Sequence, residues 1–151
     1  MEAFVTAGAG FLLAVLWFDL MFDVQARGVT VGAEAVVSIS TYYRRVTTDA
    51  RPMNRLVVLA MLVTLGAIIA ELVNDETAPW VGWASLVLAL GPMLTAGLRT
   101  VPRAVRLGAA TDTAETQGRM AARILHEHML CFVSIGALIT VQLVSAMTTK
   151  T

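Results

Sequence analysis

The chain has 151 residues, 57% hydrophobic and only 15% charged, with a mean hydropathy of +0.73. That balance excludes ordinary water-soluble composition and makes lipid the expected solvent of a single domain, 1–151. Eleven basic and eleven acidic residues cancel, yet ten of the eleven cations are arginines, all within 27–55 or 99–123, and the single cysteine, Cys131, excludes an intrachain disulfide.

Four apolar runs, at about 3–22, 54–73, 80–98 and 124–147, are long enough to cross a hydrocarbon core of about 30 Å. Backbone in lipid must close its hydrogen bonds within its own segment, so continuous runs of this kind predict helices and not the strands of a β-barrel. The fold class is therefore all-α, a polytopic membrane four-helix bundle. The first run begins Met1-Glu2-Ala3-Phe4 with no basic stretch ahead of it, which reads as a retained helix and not a cleaved signal. Its Ala3, Ala7, Gly10 and Ala14 form a small-residue stripe expected to face the bundle interior.

Segment 24–53 carries Arg27, Arg44, Arg45 and Arg51, and Arg55 follows at the start of the next run. It is too long for a structureless connection and is expected to hold a short interfacial helix. Val36, Ile39, Tyr43 and Val46 recur at helical spacing opposite Glu34, Ser38, Thr41 and Arg45, which sets Arg44 and Arg45 against lipid phosphates. Between the second and third runs, Asn74, Asp75 and Glu76 bring no cation, and Trp80 and Trp83 suit an aromatic belt. Glu71 beside them reads as an interfacial carboxylate, an outer cation site being the alternative. In the third run Gly82, Ser85 and Ala89 form a second small stripe, and Pro92 is expected to kink the helix. Arg99, Arg103, Arg106, Arg119 and Arg123 fill segment 99–123, where Thr113 is placed to cap a helix running into the fourth span. The positive-inside rule then sets segments 24–53 and 99–123 in the cytoplasm of a cell membrane and both termini outside, leaving only Lys150 in the outer tail.

Candidate chemistry gathers at the cytoplasmic end. The first run ends in Asp19 and Asp23, four residues apart on one face, and the fourth begins with His126, Glu127 and His128 at the same level. An ionised carboxylate inside an apolar run is costly without a partner, so Asp19 is the sharpest signal, with His126, His128, Arg55 and Arg123 as potential partners. Carboxylates and imidazoles serve as acids and bases near neutral pH, which makes Asp19, His126 and His128 the candidate catalytic residues. The same groups ligate transition metals, so Asp19, Asp23, His126 and His128 are the candidate metal set, and a transition metal, haem or no cofactor all stay open. His126 and His128 lie about 200° apart around a helix and do not share a face. The bland alternative is that these polar residues at helix ends only snorkel or bond backbone. Cys131 reads as packing and the eight methionines as filler. Gly8-Ala9-Gly10 lacks the strand and third glycine of a nucleotide fingerprint, and the arginines lack the aromatic platform that nucleic acid requires.

The layout resembles the small bacterial four-helix membrane proteins related to the fungal anthrone oxygenases. The resemblance covers most of the chain and rests on the order of parts: Tyr42-Tyr43-Arg44-Arg45, then Arg51-Pro52-Met53-Asn54-Arg55, then Val101-Pro102-Arg103-Ala104-Val105-Arg106-Leu107, and a histidine opening the fourth run. The chain has Val105 where that family often has asparagine, and Met129 where it often has arginine. The resemblance implies an inner-membrane oxidoreductase acting on a hydrophobic, aromatic or polyketide-like small molecule that enters from lipid. Two other classes stand beside it. One is a non-catalytic accessory subunit packed against a larger membrane protein or a second copy of itself. The other is a small conduit, which the second and third runs, offering only Thr64, Ser85 and Thr95 in mid-membrane, support poorly.

Overall fold

The computed structural model describes residues 1–28 and 30–148; the side chains of Arg51, Pro52 and Met53, and Lys150, lie outside the described residues. Among those described there is no strand, and 89% of them are helical. Six α-helices follow in order: α1 Glu2–Asp23, α2 Ala33–Arg44, α3 Arg51–Val73, α4 Pro79–Thr95, α5 Val101–Ala109 and α6 Ala114–Thr148. Four stretches are long and apolar enough to cross a membrane: Glu2–Ala26, Asn54–Val73, Pro79–Ala109 and Ala114–Thr148. α1, α3, α4 and α6 form a ring in which α1 and α4 each touch both α3 and α6. α2 and α5 pack together across the end of this ring where the arginines collect, hereafter the arginine-rich end.

Each ring helix buries a narrow stripe and exposes apolar side chains elsewhere. On α1, Val5, Ala9 and Leu12 are buried while Phe4, Trp17, Phe18 and Met21 are more than half exposed. Such a surface suits lipid, in which close packing and not apolar burial holds helices together. The stripe Ala3, Ala7, Gly10 and Ala14 does not face inward: Ala3, Ala7 and Ala14 are exposed, and Gly10 opens onto space. The inner face is fixed instead by Gly8, where a Cβ would stand 2.1 Å from Thr64 Oγ1 on α3. In a helix apolar all round, composition does not choose the face; the closest backbone approach does. The α4 stripe does face inward, with Gly82, Ser85 and Ala89 all buried. A Cβ at Gly82 would meet Leu72 of α3 at 2.4 Å.

α2 matches the amphipathic spacing, but its buried face, Val36, Ile39 and Tyr43, lies against protein and not free for lipid. Ile39 and Tyr43 join Ala104 and Leu107 of α5 and Met120, Ala121 and Ile124 of α6 in one core cluster, and Val36 lies beside Gly118 of α6. Segment 99–123 is mostly helix and not loop. α4 runs through Pro92 to Thr95, a π-type turn at Ala96–Thr100 follows, and α5 continues directly. α5 is short and not apolar on average but strongly amphipathic, burying Ala104, Leu107 and Gly108, and Gly108 lets it lie backbone to backbone on α2. Ala110, in the left-handed region at φ 53°, ends it. Thr113 caps α6 as expected, accepting from the Thr116 backbone N–H at 3.4 Å. At about 1.5 Å per residue the 35 residues of α6 span about 52 Å, well beyond a bilayer core.

The turn between α5 and α6 is closed by Arg106, which donates through Nε and Nη2 to the Asp112 carboxylate at 2.8 and 2.6 Å. The guanidinium holds the Asp112 carboxyl below its usual range. A carboxylate depressed by folding stabilises above its unfolded pKa and loses that contribution as pH falls through the folded value. Amide protection over 106–118, taken relative to the intrinsic exchange rate at each pH, is therefore expected to hold down to about pH 4, the ordinary aspartate value, and to be lost below it. Equal loss in Asp112→Asn would show that another group is responsible.

Candidate functional site

The polar centre at the arginine-rich end is assembled from α1, α2 and α6. Asp19 and Asp23 stand one helical turn apart on α1, and Asp23 is fully buried beneath α2. α2 crosses them with consecutive tyrosines: the Tyr42 hydroxyl donates to Asp19 Oδ1 at 2.6 Å and the Tyr43 hydroxyl to Asp23 Oδ1 at 2.7 Å. From α6, His128 Nδ1 lies 2.6 Å from Asp23 Oδ2, with Nε2 4.0 Å from Asp19 Oδ2. Burial, followed by the neighbouring carboxylates, pushes both phenols up, so the tyrosines act as donors. The Asp23 carboxylate then places a proton on Nδ1 and leaves Nε2 as the free base, the way a buried aspartate orients a catalytic imidazole. Between Nε2 and Asp19 the gap is too long for a hydrogen bond. Phe22 stacks on Tyr42 with ring centroids 4.0 Å apart, giving the Asp19 edge an aromatic wall.

Of the residues expected at this site, the structure brings Asp19, Asp23 and His128 together and leaves His126 on the exposed face of α6. The two histidines diverge because two residues turn a helix through about 200°. Arg55 and Arg123 are exposed, and Asp19 meets Tyr42 and His128 instead. Glu127 belongs to another contact, bonding the Thr100 hydroxyl at 2.9 Å and pairing with Arg103, which ties α5 to α6. Cys131 is buried, its thiol 3.9 Å from the Pro92 carbonyl, as a packing residue would be. Tyr42 and Tyr43 escaped the sequence reading as site residues. Their one signal was that an adjacent tyrosine pair on α2 can serve two carboxylates one turn apart.

Among the described residues no group of three or more His, Cys, Asp or Glu is placed to hold a metal ion. The reason is visible in the hydrogen bonds: Asp19 Oδ1 and both oxygens of Asp23 are engaged, so only His128 Nε2 and Asp19 Oδ2 face each other unengaged. Two donors do not fit a transition metal, and an imidazole aimed at a carboxylate does not fit the axial ligand of a haem. No protein-family model matches this chain, and no curated protein or solved structure matches it.

Two surface features adjoin the centre. Between α5 and α6 a groove of about 340 Å³ is lined by Arg103, Arg106, Arg119 and Arg123 with Pro102 and Met120. Between α1 and α6 an apolar groove of about 270 Å³ is lined by Trp17, Leu20, Leu125 and Met129 among others.

A second polar cluster lies near the opposite end of the ring. Glu71 of α3, Ser85 of α4 and Gln142 of α6 have no exposed surface at all. Glu71, expected to face outward with its neighbours, points into the bundle instead, away from exposed Asn74, Asp75 and Glu76.

Proposed function

We propose that this protein is a multi-pass membrane enzyme that removes a proton from a hydrophobic, lipid-soluble substrate and directs its oxidation by dioxygen, in the manner of the anthrone oxygenases it resembles. The observation that carries this reading is the Asp23–His128 pair with Nε2 turned toward Asp19. His128 Nε2 takes the proton from an activated methylene beside a carbonyl, and the resulting imidazolium sits between two carboxylates. Tyr42 and Tyr43 hold those carboxylates in place. The substrate's electron pair passes to dioxygen, forming a carbon–oxygen bond; the proton returns to the peroxide, and loss of water leaves a ketone. In balance, a CH2 group and O2 give C=O and H2O. The lipid-facing surface of α1 and the Phe22–Tyr42 wall favour a flat aromatic substrate arriving laterally.

The distribution of arginines supports an orientation with segments 24–53 and 99–123 in the cytoplasm and both termini outside. Arg44, Arg45 and the four-arginine groove then lie at the level of anionic headgroups, and the Asp–His centre opens on the cytoplasmic leaflet.

Oxygen uptake by the purified protein with anthrone as substrate tests this. Asp19→Asn takes one of the two carboxylates from the imidazolium that His128 becomes and is expected to lower the rate, by up to the roughly 100- to 10,000-fold that a positioned base contributes, with the helical signal and melting temperature nearly kept. Wild-type protein that consumes no oxygen above the uncatalysed rate, or an Asp19→Asn variant as fast as wild type, would sink the proposal.

A further inference from the structure

The buried cluster Glu71, Ser85 and Gln142 is not used by the chemistry proposed above. Gln142 Nε2 spends both its hydrogens, donating to Glu71 Oε2 at 3.0 Å and to Ser85 Oγ at 3.0 Å. What remains is one-sided. Glu71 Oε1 and Gln142 Oε1 are both acceptors, both buried, and neither has a partner among the described residues. Buried polar atoms in folded proteins are almost always satisfied, so two orphan acceptors on a bonded pair of side chains call for a missing donor.

Charge narrows what that donor is. Charged groups near Glu71 on the elements packed against it are Glu2 and the Met1 ammonium of α1 and Glu76 of the α3–α4 turn. The Met1 ammonium is itself paired to Glu76 at 2.8 Å. α4 contains no charged residue, and the nearest on α6 is His128, fourteen residues or roughly 21 Å away along the helix. An ionised Glu71 would thus stand between three apolar helices with no counter-charge of its own, the one nearby cation being committed to Glu76, a costly arrangement in a membrane span. A water molecule brings hydrogens but no charge. An alkali cation brings charge but needs about six oxygen ligands, as hard cations do, where two are free. One proton answers both orphans: placed on Glu71 Oε1, it makes the carboxyl a donor to Gln142 Oε1 while Gln142 Nε2 donates back to Oε2.

We infer that Glu71 and Gln142 form a proton-binding site, a carboxylic acid and an amide joined by two reciprocal hydrogen bonds, that clasps α3 to α6 near the end of the ring opposite the Asp–His centre. Through the Gln142 contact with Ser85 the clasp extends to α4. The bound proton is the ligand, and its loss leaves a bare charge between the three helices.

Infrared spectra of the full chain in detergent at neutral pH, with and without ¹³C-labelled glutamate, test this. The label separates Glu71 from Asp19 and Asp23. The wild type is expected to show one protonated-carboxyl C=O band above the amide band, lowered by the ¹³C label and by heavy water and lost in Glu71→Gln. Should Glu71→Gln not fold, Gln142→Leu reads the same proton: its band is expected at higher wavenumber, since the carboxyl has lost its amide partner. Absence of the band in folded wild type would mean an ionised, hydrated carboxylate and overturn the inference, as would a Gln142→Leu band at the wild-type position. A melting temperature that rises when sodium replaces choline in wild type but not in Glu71→Gln would identify a metal ion as the ligand and overturn it equally.

Discussion

Asp23→Ala is expected to destabilise the protein by about 2–5 kcal/mol, the cost of taking a charged acceptor away from two buried donors at roughly 1–3 kcal/mol each. Asp23 has no exposed surface, and its two oxygens accept from the Tyr43 hydroxyl at 2.7 Å and from His128 Nδ1 at 2.6 Å. Alanine removes the carboxylate both groups share and leaves only the 3.4 Å contact between the Tyr43 hydroxyl and His128 Nδ1, at the point where α1, α2 and α6 meet. Asp23→Asn separates stability from chemistry. The amide keeps the shape and can still accept from Tyr43, but if its oxygen does so its NH2 faces His128 Nδ1 as a donor. That demands the other tautomer, with the proton on Nε2, and removes the free base. Denaturant titration in mild detergent should rank wild type above Asp23→Asn and Asp23→Ala lowest, while oxygen uptake falls to background in both. Unchanged stability of Asp23→Ala would show that the buried network is not formed.

Gly108→Ala is expected to cost about 1–3 kcal/mol, a large effect for a single methyl group. A Cβ there would lie 2.7 Å from the Arg44 backbone nitrogen, 3.0 Å from its Cα and 3.0 Å from the Tyr43 carbonyl carbon. These are backbone atoms, so relief comes only by moving α2 away from α5. Because α2 carries Tyr42 and Tyr43, the same shift withdraws their hydroxyls from Asp19 and Asp23, and activity is expected to fall with stability. Gly66→Ala is the matched control. It lies inside α3 with nothing within 4 Å of an added Cβ, so alanine there should stabilise by about 0.5–1 kcal/mol through its helix propensity. If thermal melts place Gly108→Ala and Gly66→Ala on the same side of wild type, α2 and α5 are not in backbone contact.

Long apolar runs left the four principal helices little freedom, since a run of some twenty apolar residues has no other way to satisfy its backbone in lipid. The spacing of Val36, Ile39 and Tyr43 likewise marked α2, and Thr113 marked the start of α6. Local patterns could not say which face of an apolar helix is inner, so the stripe at Ala3, Ala7, Gly10 and Ala14 misled where the contact of Gly8 with Thr64 decided. The amphipathic spacing of Ala104, Leu107 and Gly108 did mark α5, but its arginines read as signals of membrane topology, and the partner it packs on is distant in sequence. At the Asp–His centre, residue types and helix periodicity alone brought Asp19, Asp23 and His128 to one level. The choice of His128 over His126, the two tyrosines as carboxylate partners, and the burial of Glu71 against Gln142, 71 residues away, were decided only by the tertiary structure. The physical reason is the same in each case: a helix sets angles and rises from its own sequence, but its rotation against its neighbours is set by contacts between segments that no local spacing encodes.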